Sequence, residues 1–293
     1  MPASSVSPVP GSTRLAPTPS GFLHAGNALN FLLTHQLARR TGASLRLRID
    51  DLDAERERAA YVEDIFDSLA WLDIHPDVGP RDAVDLRLHW SQQLRIPRYR
   101  ALADALRADD QVYACRCSRR QRSVLQATGQ ATCPCRTSGL DLDDEQLAWR
   151  VRIPEEELVT VHDLFGPSRS ERPFALLPDP VVLQRSPDGR PRRPAYQLAS
   201  LADDVDQGTT FIVRGQDLFP STLVQLYLAR VLGLAAFSGV RFAHHPLLLD
   251  DTGAKLSKSE GATSLRAMRL AGHGPQTLIA QADAMLRQLA AGA

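Results

Sequence analysis

Along the first third of the chain, apolar positions recur with two different periods, and the switching between them predicts the local elements. Ala25, Ala28, Leu29, Leu32, Leu33, Gln36 and Leu37 return at the spacing of one helix face, so His24 to Thr41 reads as a helix, with Gly42 suited to the residue just past its end. Ahead of it, Thr13 to Ala16 reads as a short strand ended by Pro17 and Pro19. Behind it, Ser44 to Asp50 alternates apolar and basic side chains, as a strand does. Glu55 to Leu72 reads as a second helix with Tyr61, Ile65, Leu69 and Leu72 inward, and Ile96 to Leu106 as a third. Strand, helix, strand, helix at this spacing predicts an α/β fold with a parallel sheet and crossover helices.

The alternation then breaks. From Tyr113 to about Pro194 the chain holds all the cysteines, many prolines and short strand-like pieces at Ala148–Ile153 and Val181–Gln184. It resumes with a helix at Tyr196–Asp206, a strand at Thr209–Arg214, a helix at about Ser221–Leu232 and a strand near Phe242–Leu249. The pattern predicts a tail over 1–12, one α/β domain in two halves (13–110 and 195–262), an inserted module over 111–194, and a short helical C-terminal segment over 263–293.

Composition changes this picture little. The 293 residues are 43% hydrophobic, enough for a real core, and Lys+Arg and Asp+Glu both number 34, so no global basic charge advertises nucleic acid. A local one exists: Arg116, Arg119, Arg120 and Arg122, with Arg136 near. No apolar run approaches the roughly 20 residues of a membrane span. Residues 1–12 lack the charged and apolar regions of a signal peptide, so a cytoplasmic location is expected. In such a compartment four cysteines confined to 115–135 favour metal over disulfides.

Two stretches almost the whole chain apart carry candidate chemistry. Leu23-His24-Ala25-Gly26-Asn27 opens the first long helix, where backbone N–H groups and the helix dipole suit phosphate, and where Gly21 and Gly26 allow a close approach. His24 and Asn27 can donate toward it. Lys255-Leu256-Ser257-Lys258-Ser259 follows the last strand, which brings Lys255, Ser257 and Lys258 toward the strand ends, where open α/β sheets bind ligands. Together they form two halves of a triphosphate clamp.

These stretches resemble the signature motifs of class I aminoacyl-tRNA synthetases. Arg14-Leu-Ala-Pro-Thr-Pro-Ser-Gly21 precedes the first, Arg48-Ile-Asp-Asp-Leu-Asp53, Tyr196-Gln-Leu-Ala199 and Val213-Arg-Gly-Gln-Asp217 occur between them, and the ordered set resembles the glutamyl/glutaminyl branch from about Arg14 to Ala262. The resemblance implies a Rossmann-like nucleotide-binding domain. It also implies a ligase in which the carboxylate of L-glutamate attacks the α-phosphate of ATP, with Mg²⁺ accompanying the nucleotide. His24, Asn27 and Lys258 would be catalytic, and Gly21, Gly26, Lys255 and Ser257 would help to bind ATP. Arg14, Thr18, Asp50, Tyr196 and Arg214 would hold the amino acid. The chain ends about thirty residues past the lysine loop, so no anticodon-binding region is expected; in this it is similar to the truncated glutamyl-Q tRNA(Asp) synthetases, which attach glutamate to queuosine in tRNA(Asp). A monomer is the family-like expectation. Transfer to a non-tRNA acceptor and a non-catalytic amino-acid- or RNA-binding paralogue are the alternatives.

Two features depart from or extend the family pattern. The family usually carries Glu where this chain has Asp50, which withdraws the carboxylate by over about 1 Å. Cys115-Arg-Cys117, fifteen residues, then Cys133-Pro-Cys135 has the form of a tetrahedral Cys₄ zinc site, a structural Zn²⁺ that would fix the arginine-rich loop for RNA phosphate. Asp203, Asp204 and Asp206 read as a solvated helix end, with a queuosine-contacting or substrate-orienting role as the alternative, and Trp71, Trp90 and Trp149 as packing residues.

Overall fold

The computed structural model describes residues 11–55, 57–186, 191–246 and 264–291, without the side chain of Gln126. Strand β1 (Ser12–Leu15) leads through the Pro17–Gly21 stretch into helix α1 (Ala25–Thr41). Arg39 and Arg40 sit in its last turn, where the helix dipole favours cations, and Gly42 ends it in the left-handed conformation at φ 68°. Strand β2 (Ser44–Leu47) then pairs in parallel with β1, completing the expected unit. Helices α2 (Ala59–Trp71) and α3 (Ile96–Ala108) follow.

The middle of the chain contains β3 (Val112–Cys115), helix α4 (Arg119–Ala127) and β4 (Ala148–Val151). It continues with β5 (Val159–Asp163), β6 (Arg169–Glu171) and β7 (Val181–Leu183). Strands β3, β4 and β7 form an antiparallel sheet of their own. Helix α5 (Tyr196–Asp206), strand β8 (Phe211–Gly215), helix α6 (Phe219–Val231) and strand β9 (Arg241–His245) follow, then helices α7 (Leu265–Leu270) and α8 (Gln276–Ala291).

Strand β5 lies inside the span expected for the insertion, yet it pairs in parallel with β9, which pairs in parallel with β8. Strand β6 closes that edge antiparallel to β5. The seam between β8 and β1 is made by Thr210 N–H donating to the Ser12 carbonyl at 2.8 Å and Thr13 Oγ1 donating to the Phe211 carbonyl at 2.9 Å. The order across the molecule is therefore β2-β1-β8-β9-β5-β6.

Both faces of this surface are covered, and the strand period of two shows how. Phe211 and Val213 point into a cluster with Leu29, Leu33 and Ile65, whereas Ile212 between them points into a second cluster with Leu198, Leu223 and Leu228. Trp149 is buried in that second cluster, while Trp71 and Trp90 pack at the edge of the first, as packing residues do. Among the described residues no helix is long and apolar enough to cross a membrane.

Candidate active site

The helices following the adjacent strands β1 and β8 leave toward opposite faces: α1 joins the cluster containing Leu29, α6 the one containing Leu223. Such a switch point opens a crevice at the carboxyl ends of the strands. A cavity of about 560 Å³ lies there. Arg14 and Arg214 reach it from the strand ends, His24, Gly26 and Asn27 from the start of α1, Tyr196 from the start of α5, and Thr18 and Asp50 from the connecting loops. Eight residues expected at the site thus line one cavity, although nearly two hundred residues separate them in sequence. Gly21 is not among the lining residues. Lys255, Ser257 and Lys258 lie outside the described residues; their flanks do not, since His245 lines the cavity and Ser264 bridges to His24, with Leu265 N–H donating to the Leu23 carbonyl at 2.8 Å.

The start of α1 differs from a bare helix N-terminus. His24 Nδ1 accepts from Gly26 N–H at 3.1 Å, and Asn27 Oδ1 accepts from His24 N–H at 3.1 Å, a reciprocal capping box. One backbone N–H expected to face phosphate is therefore occupied by the imidazole. The same bond sets the neutral ring's proton on Nε2, and the Asn27 amide keeps Nδ2 as donor.

Arg214 is 3% exposed. Nη1 donates to Gln225 Oε1 at 3.0 Å, but Nε and Nη2 are buried without hydrogen-bond partners, and no carboxylate pairs with this guanidinium among the described residues. Burial pulls its pKa down to about 10, which leaves it charged near neutrality. A buried cation with unmet donors beside a cavity calls for an anionic ligand.

The opposite wall is an ion-pair network that sequence reasoning did not supply. Asp203 and Asp204 are fully buried, so they do not form a solvated helix end. Their helix packs them under the cavity, where guanidinium partners offset desolvation. Arg14 Nε and Arg48 Nη1 each donate to Asp204 Oδ1 at 2.8 Å, and Arg48 Nε donates to Asp50 Oδ1 at 2.7 Å. Asp203 takes Arg95 Nε at 2.6 Å, Tyr99 Oη at 2.8 Å and Gln92 Nε2 at 2.8 Å. Burial alone would raise the Asp204 pKa, yet Arg14 and Arg48 hold it below the usual carboxylate range. For Asp50 burial prevails over Arg48 and raises the pKa to about 6. Asn30 and His245 were also missed: His245 Nδ1 donates to the Pro246 carbonyl at 2.8 Å, which leaves Nε2 to accept from Asn30 Nδ2 at 3.1 Å. A short polar run such as 'Arg-Ile-Asp-Asp' carries no local mark of burial, so only tertiary packing reveals the network.

Away from the cavity, the Sγ atoms of Cys115, Cys117, Cys133 and Cys135 all lie within 4.8 Å of one another. The Cys115–Cys133 and Cys117–Cys135 separations are 3.5 and 3.7 Å. Zn–S bonds of ~2.3 Å in a tetrahedron require S···S edges of about 3.8 Å, so donor set and spacing fit zinc. With Tyr113, Leu125 and Leu140 they form a small cluster apart from the two main ones. Arg116, Arg119 and Arg120 are exposed beside it, but Arg122 is buried and donates to the Ala131 carbonyl at 2.9 Å, which removes it from the expected basic surface.

The family model for the catalytic domain of class I tRNA synthetases (E and Q) matches residues 12–287. A glutamyl-Q tRNA(Asp) synthetase of Symbiobacterium thermophilum is 37% identical over 280 residues, covering 91% of this chain and 83% of its own length. A glutamate–tRNA ligase 2 of Methylobacterium radiotolerans is 37% identical over 281 residues, of which the chain spans 57% of the length. Among solved structures, a glutamate-tRNA synthetase of Elizabethkingia anophelis superposes with a TM-score of 0.68 at 24% identity, covering 86% of this chain and 53% of its own. Methionyl-tRNA synthetase of Mycobacterium tuberculosis shares the fold more distantly, with a TM-score of 0.52 at 14% identity.

Proposed function

The chain belongs to the glutamyl/glutaminyl branch of the class I aminoacyl-tRNA synthetases, a family of ligases, and on that premise we propose that it activates L-glutamate with ATP and transfers the glutamyl group to queuosine of tRNA(Asp). The observation that carries the choice of amino acid is Arg214, a buried guanidinium at the cavity whose Nε and Nη2 have no hydrogen-bond partner and with which no carboxylate pairs among the described residues. The second carboxylate of glutamate supplies an anionic partner for such a group, and the neutral amide of glutamine does not.

In this reading Arg14 and Arg214 grip the substrate carboxylates, Asp50 accepts from the ammonium, and Thr18 and Tyr196 complete the walls. The substrate α-carboxylate is anionic near neutrality, so its oxygen attacks the α-phosphorus without a general base. The bond to the bridging oxygen breaks and pyrophosphate leaves. His24 Nε2–H and Asn27 Nδ2–H donate toward the phosphates at the positive end of α1, and Lys255, Ser257 and Lys258, which lie outside the described residues, would supply charge and donors to the leaving pyrophosphate. Mg²⁺ accompanying the triphosphate would neutralise charge there. Cys115, Cys117, Cys133 and Cys135 would hold Zn²⁺ as a cross-link outside the reaction. Catalysis is then positioning and charge stabilisation, with no covalent enzyme intermediate. In the second half-reaction an acceptor hydroxyl attacks the activated carbonyl and AMP leaves. Identity to the Symbiobacterium protein supports queuosine as the bearer of that hydroxyl.

Amino-acid-dependent ATP–pyrophosphate exchange, run over all twenty amino acids with and without tRNA, tests the first half. Exchange with glutamate in the absence of tRNA is expected. Glutamylation of queuosine-containing but not queuosine-free tRNA(Asp) tests the second. Adenylate without transfer would move the acceptor to a small molecule or carrier protein, and no exchange with any amino acid would leave a binding paralogue.

A further inference from the structure

We propose that Asp204, which does not itself line the cavity, is the positioning residue that holds both charged arms of the amino-acid site in register. All hydrogen bonds to its carboxylate meet on one atom. Oδ1 accepts from Arg14 Nε at 2.8 Å, Arg48 Nη1 at 2.8 Å and Thr209 Oγ1 at 3.3 Å, while Oδ2 is buried with no partner. Arg14 is the arm that meets a substrate carboxylate. Arg48 does not line the cavity either; its fork passes from Asp204 to Asp50, the arm that meets the ammonium, and Nη2 is steadied by Ser200 Oγ at 3.1 Å. One carboxylate oxygen therefore sets the spacing between the cationic and the anionic arm. Two guanidinium groups packed on the same atom repel each other, and Asp204 is what keeps them together in a medium of low dielectric. Asp50 is also tethered from the neighbouring carboxylate, since Gln92 Nε2 lies 2.8 Å from Asp203 Oδ2 and 3.3 Å from Asp50 Oδ1. The pair stands two turns along α5 from Tyr196, so one helix carries a wall of the cavity and the support beneath it.

A purely electrostatic role and a positioning role differ in sign. Removing a negative charge beneath an anion site would by itself tighten glutamate. Releasing Arg14 and Arg48 would weaken it.

On the reading that this cavity activates glutamate, the deciding measurement is ATP–pyrophosphate exchange by the full chain carrying Asp204→Asn, which preserves shape and removes the charge. The expected result is a KM for glutamate raised about ten- to a hundred-fold, with the KM for ATP within about three-fold of the parent. A glutamate KM that is unchanged or lowered overturns the proposal. So does a parallel rise in both constants with a lowered melting midpoint, the mark of a merely structural residue. If Asp204→Asn does not fold, Ser200→Ala decides: it removes an Arg48 acceptor from a helix that tolerates alanine, and a glutamate KM raised about three- to ten-fold with ATP unaffected is expected, an unchanged one being fatal. The parent protein separates the two readings. Absence of glutamate-dependent exchange in the parent refutes activation, whereas normal parent exchange with an unmoved variant KM refutes positioning alone.

Discussion

Arg214 holds a positive charge at 3% exposure with two nitrogens unsatisfied, an arrangement that costs folding free energy unless a ligand repays it. Arg214→Met is therefore expected to leave the melting temperature unchanged or higher while glutamate activation falls between about thirty-fold and a few thousand-fold, the equivalent of roughly 2–5 kcal/mol for truncating a buried charge pair. Thermal denaturation and pyrophosphate exchange on the same preparation check both halves. Asp50 gives a pH signature. Burial raises its pKa to about 6, so it is anionic above that pH and loses its charge as pH falls through it. The KM for glutamate is expected to rise up to about ten-fold per unit below pH 6, and Asp50→Asn should flatten that limb while raising KM throughout. At this scale the sequence was informative about identity and poor about environment. Arg14, Asp50 and Arg214 stand inside recognisable motifs, but burial of Asp203 and Asp204 could not be read from a run of aspartates, whose usual place is a solvated helix end.

Elements decide how these side chains are held. The capping box at the start of α1 ties the His24 ring to Gly26 and so couples helix initiation to the tautomer offered at the site. Helix periods and the Gly42 stop were legible because propensity, capping and apolar spacing all agreed at α1. The inserted stretch was harder. Its short strands carry few alternating positions, and β5 has only Val159 and Val161 buried along it, a pattern equally suited to a surface hairpin. Pairing with β9 is a long-range event that no local signal encodes. For the cysteine cluster, metal analysis of protein purified under reducing conditions is expected to show one zinc per chain. Chelation should then speed hydrogen exchange around Tyr113, Cys115 and α4 while α1 and β8 stay protected. Zinc-free protein with unaltered exchange would refute the cross-link.

Across the whole molecule, the site exists because β1 and β8 are neighbours whose helices part to opposite faces. Because β5 and β6 form one side of the same sheet and Val151, Ile153 and Val182 join the core of the second half, excising 111–194 is expected to abolish cooperative unfolding rather than yield a smaller folded domain, as circular dichroism during thermal denaturation would report. Lys258 belongs to a stretch outside the described residues, between His245, which lines the cavity, and Ser264, which bridges to His24. Lys258→Ala should lower the activation rate by orders of magnitude with little effect on the melting midpoint.

The amino-acid sequence alone determined the α/β class, the two candidate nucleotide-binding motifs, the four cysteines at the spacing of a zinc site and the family, since each is written in local periodicity or in residue type at fixed spacing. Only the tertiary structure decided that Asp204 joins Arg14 to Arg48, which in turn holds Asp50, that Arg214 lacks an anionic partner among the described residues, and that part of the insertion belongs to the main sheet. Burial and charge pairing depend on which distant segments meet, and that is fixed by packing across the sheet, not by neighbours along the chain.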